Sequence, residues 1–301
     1  MYLLVTILAG LLVATVAVLL YGVFVERYVV RFPQHRIPVR NLPSAFAGTT
    51  VIHVSDVHLS RLVPRWFIEK LFRKVAALRK DLIVTTGDNV LGRDVPDRID
   101  EVWSLLGRLR APLGVFSVLG NCDHWAGRER SLLRLKESGQ DVRGRAVAIE
   151  KDGERLWIAG AGDLLEDHLP LDDVLAGVPE GDCRIVLAHN PDTADTDFTA
   201  RVDLMLSGHT HGGQVELPLI GIPMLPVKNK TYSYGLKQTP KGFPVFISKG
   251  IGWGIFPGRL NCFPEIPILE LVPAQEGIEI GAGGEKKETT RSSLSPGIGA
   301  A

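Results

Sequence analysis

Five short apolar runs in this chain break off at residues whose side chains can bind a cation. The run opening at Val51 leads to Asp56 and His58, and Leu82–Thr86 ends at Gly87-Asp88. Val115–Leu119 ends at Gly120-Asn121-Cys122-Asp123, Ile185–Ala188 at His189, and Leu204–Leu206 near Gly208-His209-Thr210-His211. Helical patterns over Pro64–Lys80, Ile99–Leu109 and Ser131–Glu137 separate several of them, and Leu156–Ala159 reads as a further strand. Strand-helix alternation argues for α/β layering, and open sheets of that class bind ligands at strand ends. Side chains two apart on an extended segment leave on the same side. Asp56 and His58 are therefore expected to grip one ion. Together the five clusters carry enough oxygen and nitrogen donors for two.

The N-terminus imposes a second constraint. Tyr2 to Val25 is an almost unbroken apolar run, long enough to cross a bilayer as a helix. A cleaved signal peptide would want a charged leader and a shorter stretch. No Lys or Arg precedes the run, so residues 1–25 are expected to be an uncleaved transmembrane anchor. Arg27, Arg31, Arg36 and Arg40 follow it, which by the positive-inside rule puts the rest of the chain on the cytoplasmic side of a cytoplasmic (inner) membrane. Residues 26–49, with Pro33, Pro38 and Pro43, read as a stiff basic tether. Between Glu26 and Lys80 stand 11 Lys or Arg against 3 Asp or Glu. The helical stretch from Pro64 adds a basic face, read as a solvated outer face of a helix packed on a sheet, with contact to anionic headgroups as the sharper alternative. The formal net charge of the whole chain is 0, which gives no reason to expect nucleic acid as a partner.

Beyond Gly212 the many prolines and glycines suggest short β segments joined by long turns. Residues 50–273 are expected to form the catalytic domain and 274–301 a disordered tail. Cys122, Cys183 and Cys262 are odd in number and widely spaced, with no disulfide framework or Cys-x-x-Cys metal motif.

In this order the clusters resemble the calcineurin-like metallophosphoesterase superfamily, over about residues 50–272. The N-terminal anchor, the segment Ser207–Gln214 and Pro264-Glu265-Ile266 look like its membrane-attached phosphodiesterase branch, relatives of UDP-2,3-diacylglucosamine pyrophosphohydrolase. The resemblance implies an α/β fold, a four-layer αββα sandwich. It implies one metal held by Asp56, His58 and His211, a second by Asn121, His189 and His209, and Asp88 bridging both. Mixed carboxylate, amide and imidazole donors suit Mn²⁺ first, with Fe or Zn²⁺ as alternatives. A hydroxide held between two such ions would attack phosphorus in line.

One departure from the family pattern carries information. Its usual Gly-Asn-His-Asp reads Gly-Asn-Cys-Asp here, with Cys122 where the histidine stands. In the family that imidazole helps stabilise or protonate the leaving oxygen, and a thiol is a poorer acid for it. Loss of the acid hurts basic alkoxide leaving groups most and phosphate leaving groups least. A phosphodiesterase or pyrophosphatase is therefore expected rather than a general phosphomonoesterase, although Cys122 could equally be a small buried residue without a chemical role. Asp123 is expected to orient a ligand from behind. His124 is the candidate substitute proton donor, with a turn-stabilising or surface role as the alternative. Arg259 lies in a segment that is near the site in the family, where it could meet phosphate oxygens.

His53 reads as a core or sheet-edge residue, His35 and His168 as tether and loop residues. Trp253, Ile255 and Phe256 form either loop packing or a lipid-facing lip. The substrate expected is UDP-2,3-diacylglucosamine, cleaved to the lipid monophosphate and UMP. Another lipid, nucleotide or envelope diester, or a non-catalytic scaffold, are the alternatives.

Overall fold

The computed structural model describes residues 1–254 and 256–274. Residues 275–301 of the expected tail, and Ile255, lie outside the described residues. The strands are β1 (Gln34–Val39), β2 (Thr50–Val54), β3 (Leu82–Thr86), β4 (Val115–Val118), β5 (Ala146–Lys151), β6 (Glu154–Gly160), β7 (Cys183–Leu187), β8 (Leu204–Ser207), β9 (Gly235–Gln238), β10 (Pro244–Ile247) and β11 (Ile268–Pro273). The helices are α1 (Tyr2–Phe24), α2 (Arg65–Ala77), α3 (Pro96–Leu106), α4 (Asn121–Glu137) and α5 (Leu171–Leu175). The strands form two sheets, ordered β1-β11-β2-β3-β4 and β5-β6-β7-β8-β10-β9.

Why the sheets stack follows from strand periodicity. Alternate side chains of a strand face opposite ways, and β2, β3, β7 and β8 are buried on both faces. Val51, Leu82 and Val84 join Ile158, Ile185, Leu187 and Leu206 in the core between the sheets. Their neighbours Ile52, Val54 and Ile83 pack under α2 and α3 through Phe67, Leu71, Val102 and Leu106. On the other side Val186, Met205 and Val245 meet α5. The result is the expected four-layer αββα sandwich. Truncating one such core leucine to alanine typically costs about 2–5 kcal/mol.

The helices begin where local chemistry allows. Pro64 precedes α2 in an extended conformation, and α3 opens on Pro96, whose missing amide hydrogen is no loss in a first turn. α4 begins earlier than its apolar pattern suggested, at Asn121, and bends at Gly127 with φ 152°. The whole Asn121–His124 cluster therefore rides on a helical first turn.

α1 is exposed along its length, with Gly22 its only buried residue. That glycine is required by contact: a Cβ there would lie 2.7 Å from the Arg259 carbonyl oxygen. Arg259 N donates to Gly22 O at 3.1 Å. Just beyond, Arg27 Nη1 donates to Pro257 O at 2.7 Å, and its guanidinium lies over the rings of Tyr28 and Trp253. The basic tether expected over 26–49 is thus corrected. Glu26 and Arg27 are buried against the domain, and β1 is an edge strand in parallel register with β11, Gln34 opposite Ile268. Sequence composition concealed this because the partner strand lies more than 200 positions away.

Candidate metal centre

All five polar clusters converge at the carboxyl ends of β2, β3, β4, β7 and β8. The local reason differs from the one expected for Asp56 and His58. They are not on an extended segment; their φ angles are 51° and 50°, in the left-handed region. Asp88 (φ 53°), His209 (φ 68°) and His211 (φ 52°) share that conformation. It costs an L-residue roughly 1–2 kcal/mol, least for Asp, Asn and His. Five such residues in one cluster concentrate backbone strain at a functional site. Two glycines make the approach possible. A Cβ on Gly208 would lie 2.3 Å from Asp56 Oδ2, and one on Gly120 2.3 Å from Asp88 Oδ1 and 2.8 Å from the His189 ring.

Two donor groups result. Asp56, His58 and His211 present ligand atoms within 4.8 Å of one another, as do Asp88, His189 and His209. His58 Nε2 faces His211 Nε2 at 2.9 Å, and His189 Nε2 faces His209 Nδ1 at 3.1 Å. Asp88 stands between them, Oδ2 3.5 Å from His58 Nε2 and Oδ1 3.4 Å from His189 Nε2. Asn121 is buried between Gly120, which abuts His189, and Cys122, whose amide donates to Asp88 Oδ1 at 2.8 Å. Its Oδ1 has no hydrogen-bond partner. A buried amide oxygen is seldom left so, and a cation would satisfy it. The residues fit a pair of divalent ions.

Supporting contacts aim the ligands. His189 Nδ1 bonds Thr86 O at 2.8 Å and His209 Nε2 bonds Pro226 O at 3.0 Å, leaving the other ring nitrogen toward the cluster. Asp56 accepts from Ser55 Oγ at 2.5 Å and from His209 N at 3.1 Å. Asp123 lies behind: Oδ1 accepts from Asn89 N at 2.9 Å and Oδ2 from Gly120 N at 3.0 Å.

The electrostatics suit a cation. Burial works to raise the Asp88 carboxyl, but the imidazoles of His189 and His58 outweigh it and hold Asp88 well below the usual range. Burial pushes the His58 and His211 imidazoles below their ordinary range, and burial with the neighbouring His189 lowers His209 to about 4. His189 is the exception: against burial, Asp88 and Asp56 push it up to about 10. The carboxylates draw positive charge to the place where a metal would supply it. Burial and then the Asp88 charge push the Cys122 thiol well above its ordinary value, so it is a weaker acid than a free cysteine.

Two expected roles do not survive. Arg259 is fully buried and spends its guanidinium on main-chain oxygens, Nη1 on His211 O at 3.2 Å and Nη2 on Lys249 O at 2.8 Å and Gly252 O at 2.5 Å. It braces the His211 loop instead of facing phosphate. His124 is also buried, its Nε2 3.3 Å from Asp167 Oδ2 and its Nδ1 3.2 Å from Arg128 Nη1. Asp167, invisible as a site residue in the sequence, also accepts from Arg143 Nε at 2.6 Å. Arg128 thus takes the Nδ1 side of His124, while Nε2 lies beside the Asp167 carboxylate without a hydrogen bond. His53 is a core residue of central strand β2, its Nε2 2.9 Å from Thr86 Oγ1, while His35 lies on β1. Trp253 is buried against Tyr28 and Phe67; Phe256 is exposed. Gln214, which drew no role of its own, ties the loops together by accepting from Gly254 N and donating to Phe256 O at 2.9 Å.

Comparison with known sequences gives consistent matches. The calcineurin-like phosphoesterase family profile matches residues 49–213. The chain is 30% identical to the uncharacterized metallophosphoesterase YkuE of Bacillus subtilis, over 83% of this chain and 88% of that one. It is 34% identical to phosphodiesterase YaeI of Escherichia coli, over 74% and 82%. It is 27% identical to UDP-2,3-diacylglucosamine pyrophosphatase LpxG of Chlamydia muridarum, over 76% and 86%.

Proposed function

The chain belongs to the calcineurin-like phosphoesterase family of phosphoric ester hydrolases, and from that premise we propose a membrane-anchored phosphodiesterase or pyrophosphatase working with two divalent ions, Mn²⁺ first. The observation that carries this is Asp88, set between two imidazole-bearing donor groups with one oxygen toward each. Asp56, His58 and His211 would hold one ion, Asn121, His189 and His209 the other, and Asp88 both. When bound, such a pair supplies Lewis acidity toward phosphate oxygens and lowers the pKa of water.

The chain's own residues do the rest. Asp123 fixes the first turn of α4, and so aims Asn121. Thr86 and Pro226 carbonyls set the tautomers of His189 and His209. No imidazole stands at Cys122, and its thiol holds its proton. The leaving oxygen must therefore depart with little help, which favours phosphate or nucleotide leaving groups over simple alkoxides.

The preferred substrate is UDP-2,3-diacylglucosamine. It joins a pyrophosphate to two acyl chains, as the exposed helix α1 and the similarity to LpxG suggest. Single-pass anchoring is read from the apolar helix α1, and Arg31, Arg36 and Arg40, exposed after it, support placing the domain on the cytoplasmic side.

The test is a substrate screen. The full chain in detergent micelles with Mn²⁺ is expected to bind two ions and to hydrolyse UDP-2,3-diacylglucosamine and bis(p-nitrophenyl) phosphate faster than p-nitrophenyl phosphate. Turnover of the diester without the UDP-lipid would redirect the reading to another lipid or nucleotide diester. Two-ion binding without any turnover would point to a scaffold.

A further inference from the structure

Residues 217–225 form a short hairpin loop whose tip, 217–221, is closed by Leu217 N donating to Gly221 O at 2.8 Å and by Gly221 N donating to Leu217 O at 2.8 Å, and whose return through Ile222 and Met224 packs against Gly213. Its sequence, Leu-Pro-Leu-Ile-Gly-Ile-Pro-Met-Leu, contains no charged residue. Leu219, Ile220 and Met224 stand in solvent at 109%, 73% and 77% of full exposure. Bare apolar tips of this kind mark contact with something apolar.

Its connections say what that something is. The base of the hairpin pairs with the loop on which α1 rests: Val215 bridges Leu260, and Glu216 N donates to Leu260 O at 2.9 Å. A Cβ on Gly22 of α1 would come within 3.9 Å of the Leu260 side chain. The hairpin therefore rises beside the point where the apolar helix leaves the domain. On another flank of that exit, Trp66 and Leu62 are exposed, with Trp66 stacked on Tyr28 at 6.3 Å. Tryptophan is the side chain that membrane interfaces favour. Behind the apolar tip stand Lys228, exposed, and Lys230, whose Nζ donates to Leu225 O at 2.8 Å while keeping its charge at the base of the loop, and residues 217–230 include no Asp or Glu. An apolar tip backed by lysines suits acyl chains under anionic headgroups. Just after the returning segment, Pro226 O accepts from His209 Nε2 of the metal centre at 3.0 Å.

We propose that the hairpin 217–225 is a second membrane-contacting element, with Leu219, Ile220 and Met224 entering the acyl region of the bilayer that α1 spans. The metal cleft then opens at the headgroup layer, and a lipid phosphodiester reaches it without leaving the membrane. The inference rests on the anchoring reading of α1, and its test separates the two.

The three native cysteines are buried, so single exposed cysteines can be labelled with an environment-sensitive fluorophore on the full chain in phosphatidylglycerol-containing vesicles. Leu219→Cys, Ile220→Cys and Met224→Cys are expected to be quenched by lipids carrying a nitroxide high on the acyl chain. Leu12→Cys, in the middle of α1, should be quenched by deep nitroxides. Glu180→Cys, at the amino end of β7 away from the metal centre, should be quenched by neither. Quenching at 12 without quenching at 219, 220 and 224 overturns the hairpin proposal alone. Absence of quenching at all four positions overturns both. Because nothing is hydrolysed in the measurement, an inactive preparation gives the same answer.

Discussion

Glu26, two residues past the end of the apolar helix, accepts a hydrogen bond through Oε1 from the backbone amide of Cys262 at 2.8 Å. The Cys262 thiol in turn lies 3.2 Å from the carbonyl oxygen of His211, a proposed ligand. The anchor and the metal centre are thus two hydrogen bonds apart, and the intervening loop is the one held by Arg259. A helix that only tethered the domain would need no such connection.

Replacing Glu26 with alanine leaves the buried Cys262 amide without its acceptor, a loss of about 1–3 kcal/mol. Glu26→Ala is expected to lower the unfolding midpoint and to weaken Mn²⁺ binding through His211. Glu26→Gln, which keeps an oxygen in place, should restore most of both. Denaturant titration and metal titration of the two variants provide the check, and equal behaviour of Ala and Gln would deny the connection.

Asp123 touches no proposed substrate position, yet it collects the amides of Asn89, Val90 and Gly120. Asp123→Ala should cost roughly ten- to a hundredfold in metal affinity or activity, the usual price of removing an orienting partner. The Michaelis constant for a diester at saturating metal should change little. A large rise in that constant alone would move Asp123 into direct substrate contact.

Arg259 separates what the sequence could say from what only the fold reveals. The donors were legible because each sits just past an apolar run, and strand ends in an α/β sandwich gather in one place. A buried arginine bonded to carbonyls is written in the same letters as one facing phosphate. Nor did composition disclose the left-handed turns at Asp56 and His58, since aspartate and histidine tolerate positive φ without requiring it. β1 was hidden for another reason: its pairing with β11 depends on contacts far apart in sequence. Arg259→Met should therefore lower stability by about 2–4 kcal/mol by stripping several carbonyls of their donor. A variant of unchanged stability with weakened substrate binding would return Arg259 to the phosphate.

Under the proposed function, the thiol of Cys122 biases which esters are cleaved. Placing an imidazole there supplies a proton donor where the thiol holds its proton too tightly, and general acids contribute about 10²–10⁴-fold where they are needed. Cys122→His is expected to raise monoester turnover relative to diester turnover by about tenfold or more. Parallel rates with p-nitrophenyl phosphate and bis(p-nitrophenyl) phosphate measure the ratio. An unchanged ratio would remove the leaving-group argument for diester preference.

Chelation should show where the strain is stored. Five residues of the cluster hold positive φ, and the buried carboxylates of Asp56 and Asp88 both lie beside the His58 imidazole, at 4.0 and 3.5 Å from Nε2. Ions that bind the folded chain alone stabilise it by about 2.7 kcal/mol at a hundredfold excess over the dissociation constant. Adding Mn²⁺ to chelator-treated protein should therefore raise the unfolding midpoint, read by near-ultraviolet circular dichroism. Asp88→Asn removes the charge shared by both donor groups, so it should abolish that rise and lower activity by on the order of a thousandfold or more. If wild type and Asp88→Asn respond to Mn²⁺ alike, the donors around Asp88 are not where the ions bind.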